Sequence, residues 1–215
     1  MGIEKGLFVT GTDTDIGKTV ISALLVAALR KKYTVKYWKP VQTGIESDCD
    51  TAMVRTLARC SDAEIHDEGI RLERPLSPHL AAKKAGVEFS VGDIVRLIPE
   101  ETNNEFWIVE GAGGVMVPLN GTELMIDLII RLGLPAAVVS RTGLGTINHS
   151  LLTIKSIRDL GGTVAGVFMN GSANGDNTAA VRKYGSVGIM VEVPVLSPLS
   201  PDSIEKAAGA LDIPF

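Results

Sequence analysis

Leu7-Phe8-Val9-Thr10-Gly11-Thr12-Asp13-Thr14-Asp15-Ile16-Gly17-Lys18-Thr19 is the stretch on which the reading of the whole chain turns. An apolar, β-prone run over residues 7–9 ends in Gly11, and Gly17-Lys18-Thr19 opens a long apolar helical pattern. The segment therefore reads as strand, glycine loop and helix. Backbone N–H groups of such a loop, with the unpaired N–H groups of the helix's first turn, converge where the helix dipole also favours anions. That is a phosphate cradle. Lys18 is expected to reach the terminal phosphates of a bound nucleotide and the Thr19 hydroxyl to meet Mg2+, with Asp15, Ile16 and Gly17 completing the binding turn. Gly11 is expected to permit an unusual backbone turn, and Gly17 a close approach to phosphate. Asp15 is an acid inside an anion-binding loop, which raises the cost of phosphate unless it meets Mg2+ or its waters. Five residues separate Gly11 from Gly17, one more than in the usual motif, which points to a variant subclass.

Composition narrows the class. With 215 residues and 45% apolar content, the chain can bury a full core and reads as one domain over 1–215. No apolar run approaches the roughly 18–20 residues of a membrane span, and the first residues lack a signal peptide's apolar core, so a cytoplasmic protein is expected. A formal net charge of -4 argues against a nucleic-acid partner, which would show as clustered Lys and Arg. The two cysteines, Cys49 and Cys60, lack Cys-x-x-Cys spacing and suggest reduced thiols rather than a disulfide or zinc site.

Outward from the loop, strands and helices alternate, as in an α/β fold with a mostly parallel sheet and helices on both faces. The first helix should cover residues 18–30, and a second strand, 35–38, delivers Lys39-Pro40-Val41-Gln42-Thr43-Gly44. Residues 48–58, 76–85 and 91–98 read as helices, the last with Ser90 as N-cap. Further strands are expected at 106–109, 136–139, 164–169 and, more weakly, 187–191, with a helix over 146–160.

Polar clusters then fall at the C-terminal ends of five strands, the edge where open α/β sheets bind ligands. Glu110, after an apolar strand, stands where a P-loop fold places its second Mg2+ ligand. Gly111, Ala112 and Gly113 after it allow backbone contact with phosphate or substrate. Asp50 or Asp48 could add a carboxylate, or cap a helix. Lys39 closes a buried strand and can offer a point charge to a transferring phosphoryl group. Gly145, Thr146 and Asn148 mark a second anion-friendly helix N-terminus, able to hold a carboxylate through free N–H groups. The Asn170 amide could read a nucleobase edge. His149 and His79 read as packing or supporting residues rather than bases, and His66, in a polar stretch, suggests nothing.

Residues 9–19, 37–44, Ser-Pro-His-Leu-Ala-Ala at 77–82, Val-Glu-Gly-Ala-Gly-Gly at 109–114 and Gly-Thr-Ile-Asn-His at 145–149 together resemble the dethiobiotin synthetase family of P-loop proteins, in order over residues 7 to about 170. The resemblance implies an ATP- and Mg2+-dependent ligase that carboxylates 7,8-diaminopelargonic acid with CO2 and closes the ureido ring of dethiobiotin. It assigns Lys18 and Lys39 to the phosphoryl and carbamate oxygens, Thr19, Asp50 and Glu110 to Mg2+, and Thr14 and Thr43 to the carbamate and diamine end. It implies a homodimer with the active site at the interface, Gly145, Thr146 and Asn148 of one subunit holding the carboxylate of substrate bound mainly to the other. Asn170, Gly171 and the segment Pro194, Val195, Leu196 would bind adenine, although the chain matches the family pattern less well beyond Asn170. The main rival is a dimeric ATPase switch of the partitioning or septum-positioning type. Such proteins usually carry an extra early lysine where this loop has Thr-Asp-Thr. A corrinoid amidoligase would need a glutaminase domain, for which the length leaves no room.

Overall fold

The computed structural model describes residues 2–46, 49–102, 104–211 and 213–215. Among the described residues, nine strands form in chain order: β1 (Gly6–Gly11), β2 (Val35–Trp38), β3 (Val41–Thr43), β4 (Ile65–His66), β5 (Ile70–Leu72), β6 (Phe106–Gly114), β7 (Ala136–Arg141), β8 (Val164–Asn170) and β9 (Met190–Val193). The same described residues form eight α-helices: α1 (Lys18–Leu29), α2 (Asp50–Leu57), α3 (Pro78–Ala85), α4 (Val91–Val95), α5 (Met125–Leu132), α6 (Thr146–Asp159), α7 (Gly175–Gly185) and α8 (Pro201–Ala210).

Seven strands make one sheet in the order β4-β2-β6-β1-β7-β8-β9, and every adjacent pair is parallel. Alternate side chains of each strand feed two separate cores. Phe8, Trp38, Trp107, Val109 and Val138 face a layer that includes residues of α3 to α7, while Leu7, Val9, Tyr37, Ile108 and Val139 face α1, α2 and α8. Burial on both faces explains why these strands read as apolar runs rather than alternating ones. Parallel pairing has a functional effect too: all seven strands end at the same edge.

The element boundaries differ from the sequence expectations for local reasons. Helix α3 starts at Pro78, because Ser77 is extended and proline is favoured at the first helical position. Ser90 caps α4 as expected, accepting from the Asp93 N–H, but that helix ends at Val95. Strand β6 continues through Glu110 to Gly114, so Glu110 lies inside a strand rather than at its end. The last strand is Met190–Val193, shifted from the expected 187–191. Helices α5, α7 and α8 and the small parallel pair β3–β5 were not anticipated. Strands of two or three residues, such as β4 and β3, are too short to carry a periodic signal.

Both cysteines are free thiols. Cys49 is exposed beside α2, whereas burial pushes Cys60 up to about 11 despite a nearby Arg30 guanidinium. His66 corrects the reading that it suggests nothing: its ring packs edge-on against Trp38 and Trp107, and Nε2 lies 2.9 Å from the Leu97 carbonyl. His79 and His149 are both exposed, so neither is a packing residue.

Candidate active site at the C-terminal edge of the sheet

The phosphate loop leaves β1 and turns into α1 at Gly17, which has φ 94° and therefore no strain-free alternative among L-residues. A Cβ there would lie 2.1 Å from Asn170 Nδ2. Gly11 has no positive φ, and a Cβ on it would meet the Asp13 carbonyl at 2.7 Å and Ile16 Cδ1 at 2.8 Å. The turn expected at Gly11 thus falls at Gly17, and Gly11 is instead crowded by the loop's own atoms. Asp15 also takes a positive φ of 52°.

Three segments far apart in sequence converge beside the loop. Lys39, from the end of β2, is 2% exposed and donates to Glu110 Oε1 at 3.0 Å and to the Gly111 carbonyl at 2.9 Å. Its ammonium also lies 2.6 Å from Asp50 Oδ2. The Thr19 hydroxyl reaches Asp50 Oδ1 at 2.9 Å and Glu110 Oε1 at 3.0 Å. Gln42 fixes the start of α2 by accepting from the Asp50 N–H at 3.2 Å. Lys18 rests on the Asp13 carbonyl at 3.1 Å.

Electrostatics follow from this crowding. Burial alone would lower the Lys39 pKa, but the Glu110 and Asp50 carboxylates outweigh it and hold the ammonium above the ordinary lysine range. For Asp50, burial works upward, yet Lys39 and the Thr19 hydroxyl keep the carboxyl below its usual value. Lys18 is lowered, first by burial and then by repulsion from Lys39. The site is thus a compact set of internally matched charges. Each lysine occupies a position where it contacts an oxygen of the protein itself.

A cleft of about 350 Å3 opens over this cluster, lined by Thr14, Asp15, Gly17, Lys18, Thr19, Lys39, Thr43, Asp50, Glu110, Ala112 and Gly113 among others. Eleven of the residues singled out from sequence therefore meet in one place. Gly111 contributes its carbonyl to Lys39, and a Cβ on it would strike the Phe8 ring at 2.8 Å. Ile16 turns its side chain into the core and offers only its backbone. Asp48, the alternative to Asp50, lies outside the described residues.

Other expected residues lie apart from the cleft. Asn170 spends one N–H on the Ile16 carbonyl at 2.8 Å, bracing the phosphate loop from β8. It shares a neighbouring cleft with Thr14, Asp15, Ile16 and Arg141. Gly171 pairs with the Val193 carbonyl at 2.9 Å, and its φ is 144°. Pro194 and Val195 are exposed, while Leu196 packs against the core on the α1 side. At α6, Gly145 and Asn148 are exposed, but Thr146 corrects the expectation of free N–H groups. Its N–H donates to the Gly143 carbonyl at 3.2 Å and its hydroxyl is buried against Ser140 at 2.7 Å.

Three residues were not anticipated. Tyr37 donates to Glu110 Oε2 at 3.1 Å. Arg141, at the end of β7, pairs with the Asp13 carboxylate, which also accepts the Thr14 N–H at 2.8 Å; that N–H and then the guanidinium hold Asp13 below the usual carboxylate range. Gln42 is the third. Arg141 carried a sequence signal as a cation at a strand end on the ligand edge, whereas Tyr37 and Gln42 lay inside the 37–44 stretch with nothing in their residue types to mark these contacts.

The donor set suits a hard divalent cation. Among the described residues no group of three or more His, Cys, Asp or Glu side chains could hold a metal ion. Mg2+, however, keeps several waters and needs few protein oxygens, and two carboxylates with one hydroxyl supply them.

Residues 5–203 match a protein family described as an AAA domain. The ATP-dependent dethiobiotin synthetase BioD of Paramagnetospirillum magneticum is 45% identical over 189 residues, covering 88% of this chain and 87% of that protein. The BioD protein of a Bradyrhizobium strain is 41% identical, over 97% of this chain and 96% of its own length. The chain belongs to the dethiobiotin synthetase family. As a member it is an enzyme, an ATP-dependent ligase with a role in biotin biosynthesis. A solved ParA family ATPase from Chlorobium tepidum overlays on the synthetase with a TM-score of 0.55 at 11% identity, over 97% of this chain and 94% of that one. At that identity the likeness concerns the fold alone. Among the described residues, the synthetase has no helix long and apolar enough to cross a membrane.

Proposed function

We propose that the protein joins CO2 to one amine of 7,8-diaminopelargonic acid and closes the ureido ring of dethiobiotin, converting ATP to ADP and phosphate. The observation that carries this reading is the buried Lys39, held by Glu110, Asp50 and the Gly111 carbonyl a short way from the phosphate loop. The carbamate formed from CO2 and one amine is anionic, and so is the γ-phosphate it must attack. Two anions approach each other only where fixed cations offset their repulsion. Lys18 and Lys39 would supply them, Lys18 from the loop and Lys39 from the β2 end. The resulting carbamic-phosphoric anhydride is then attacked by the second amine, and phosphate leaves. Thr14 and Thr43 line the cleft beside this reaction and would contact the carbamate and diamine end.

Thr19, Asp50 and Glu110 would hold Mg2+, which when bound neutralises phosphate charge. The Asn170 amide retains an acceptor and a second N–H for adenine, beside Gly171 and residues 194–196. The protein would work in the cytoplasm.

The deciding experiment is ATP-dependent incorporation of labelled bicarbonate into acid-stable product, with and without the diamine. Incorporation only with diamine is expected. No incorporation, with ATP hydrolysis continuing in its absence, would remove this reading.

A homodimer completes the site in this reading. Leu144, fully exposed in the loop before α6, and the exposed Leu152 leave apolar surface beside Gly145 and Asn148, and that surface suits a second subunit. Gly145 and Asn148 would then hold the substrate carboxylate of the partner's site, with Thr146 fixing the turn. Subunits carrying Lys18→Ala, mixed with subunits carrying Asn148→Ala, should regain part of the activity that each homodimer lacks. Mixed dimers as inactive as their parents would place the site within one chain.

A further inference from the structure

Tyr37 has no part in the chemistry above, yet it touches the acid at the centre of the site. Parallel pairing sets Tyr37 beside Ile108, and Glu110 follows two residues later on the same face of the sheet. A diagonal neighbour at that spacing is within reach of a long side chain. The ring is fully buried, and its hydroxyl donates to Glu110 Oε2 at 3.1 Å. The other oxygen, Oε1, takes Thr19 and Lys39 at 3.0 Å each. One oxygen of a fully buried carboxylate is therefore tied to the scaffold, and the other is turned to the loop and its lysine.

We propose that Tyr37 is a positioning residue, whose hydroxyl fixes the Glu110 carboxylate so that Oε1 is presented to Lys39, Thr19 and the divalent cation of the ATP complex. The inference rests on the reading that Glu110 serves that cation. Phenylalanine would fill the same space and donate nothing. Oε2 would then be buried without a donor, and a charged acceptor in that state turns toward whatever donors remain. Thr19 and Lys39 already donate to this carboxylate, and rotation toward them would place both oxygens on groups the reaction needs. An ordinary phenol keeps its proton at neutral pH, so the Tyr37 hydroxyl serves as a donor there.

The test is a double-mutant cycle of Tyr37→Phe and Glu110→Gln, both nearly isosteric, with Mn2+ as probe. Mn2+ binding to the protein–ATP complex is read by electron paramagnetic resonance without diamine, so no turnover is needed. Tyr37→Phe should weaken Mn2+ about three- to ten-fold and lower kcat by a similar factor, with the KM for diamine unmoved. In the Glu110→Gln background the same change should add little. Unchanged Mn2+ affinity with a lowered melting temperature would make Tyr37 a packing residue only and overturn the proposal. Equal losses in both backgrounds would also overturn it, because Tyr37 would then act by some route other than Glu110. Failure of the bicarbonate assay alongside a coupled cycle would sink the assigned reaction and leave the role of Tyr37 standing.

Discussion

Lys39→Ala is expected to lower kcat by about 10²–10³-fold, the usual cost of removing one preorganised donor to developing charge. The KM for ATP should move less than about five-fold, because the phosphate loop and Lys18 stay in place. The asymmetry follows from geometry: Lys39 bonds to Glu110, Asp50 and a carbonyl, whereas Lys18 belongs to the loop itself. The change also strands two carboxylates beside each other, one of them completely buried. Losing one partner of such a buried pair costs about 3–5 kcal/mol, so a lower melting temperature should accompany the loss of turnover. Lys39→Arg should not restore activity, since the broad guanidinium fork cannot reproduce a compact ammonium among three oxygens. Single-turnover kinetics with ATP binding measured separately decides the matter. Near-normal turnover in the alanine variant would remove Lys39 from the reaction.

Gly17→Ala is expected to raise the KM for ATP about 10²-fold or more. Two penalties coincide at this position. The φ of 94° costs an L-residue about 1–3 kcal/mol, and the new Cβ would collide with Asn170 Nδ2 at 2.1 Å. Relief of that collision breaks the Asn170 bond to the Ile16 carbonyl and frees the loop to move. Gly86→Ala is the control: its φ is 67° and nothing lies within 4 Å of a Cβ, so it should cost stability without touching ATP. If ATP binding survives Gly17→Ala intact, the loop does not depend on this turn.

Much of the fold could be read from the chain because burial on both faces leaves a plain signal. Residues 106–109, 136–139 and 164–169 are apolar runs, 35–38 is one apart from Lys36, and each does lie in the parallel sheet. Helix α5 escaped notice because Met-Ile-Asp-Leu-Ile-Ile-Arg-Leu is short and largely apolar, a pattern that a buried strand would share. In the site, charged residues at strand ends stood out, and eleven expected residues do line one cleft. What stayed hidden was pairing. Tyr37 reads as one more core aromatic until β2 is set against β6. Asn170 reads as a ligand group alone, and only the folded chain shows that its amide also braces the Ile16 carbonyl. Thr146 shows the same limit from the other side, since only the closed turn reveals that its N–H already has an acceptor.

The parallel order of the sheet also bears on when this protein can begin to act. Thr19 and Glu110 are 91 positions apart, Lys39 and Glu110 are 71 apart, and the brace from Asn170 to Ile16 spans 154. No local segment contains a working fraction of the site, and such long-range pairings form late and slowly in folding. A growing chain exposes its entire phosphate loop early, well before the acid and the brace that organise it have been made. Nucleotide chemistry therefore awaits the closing of the sheet. Partly folded or truncated chains would use ATP poorly, and the capacity to use it would appear together with the native topology.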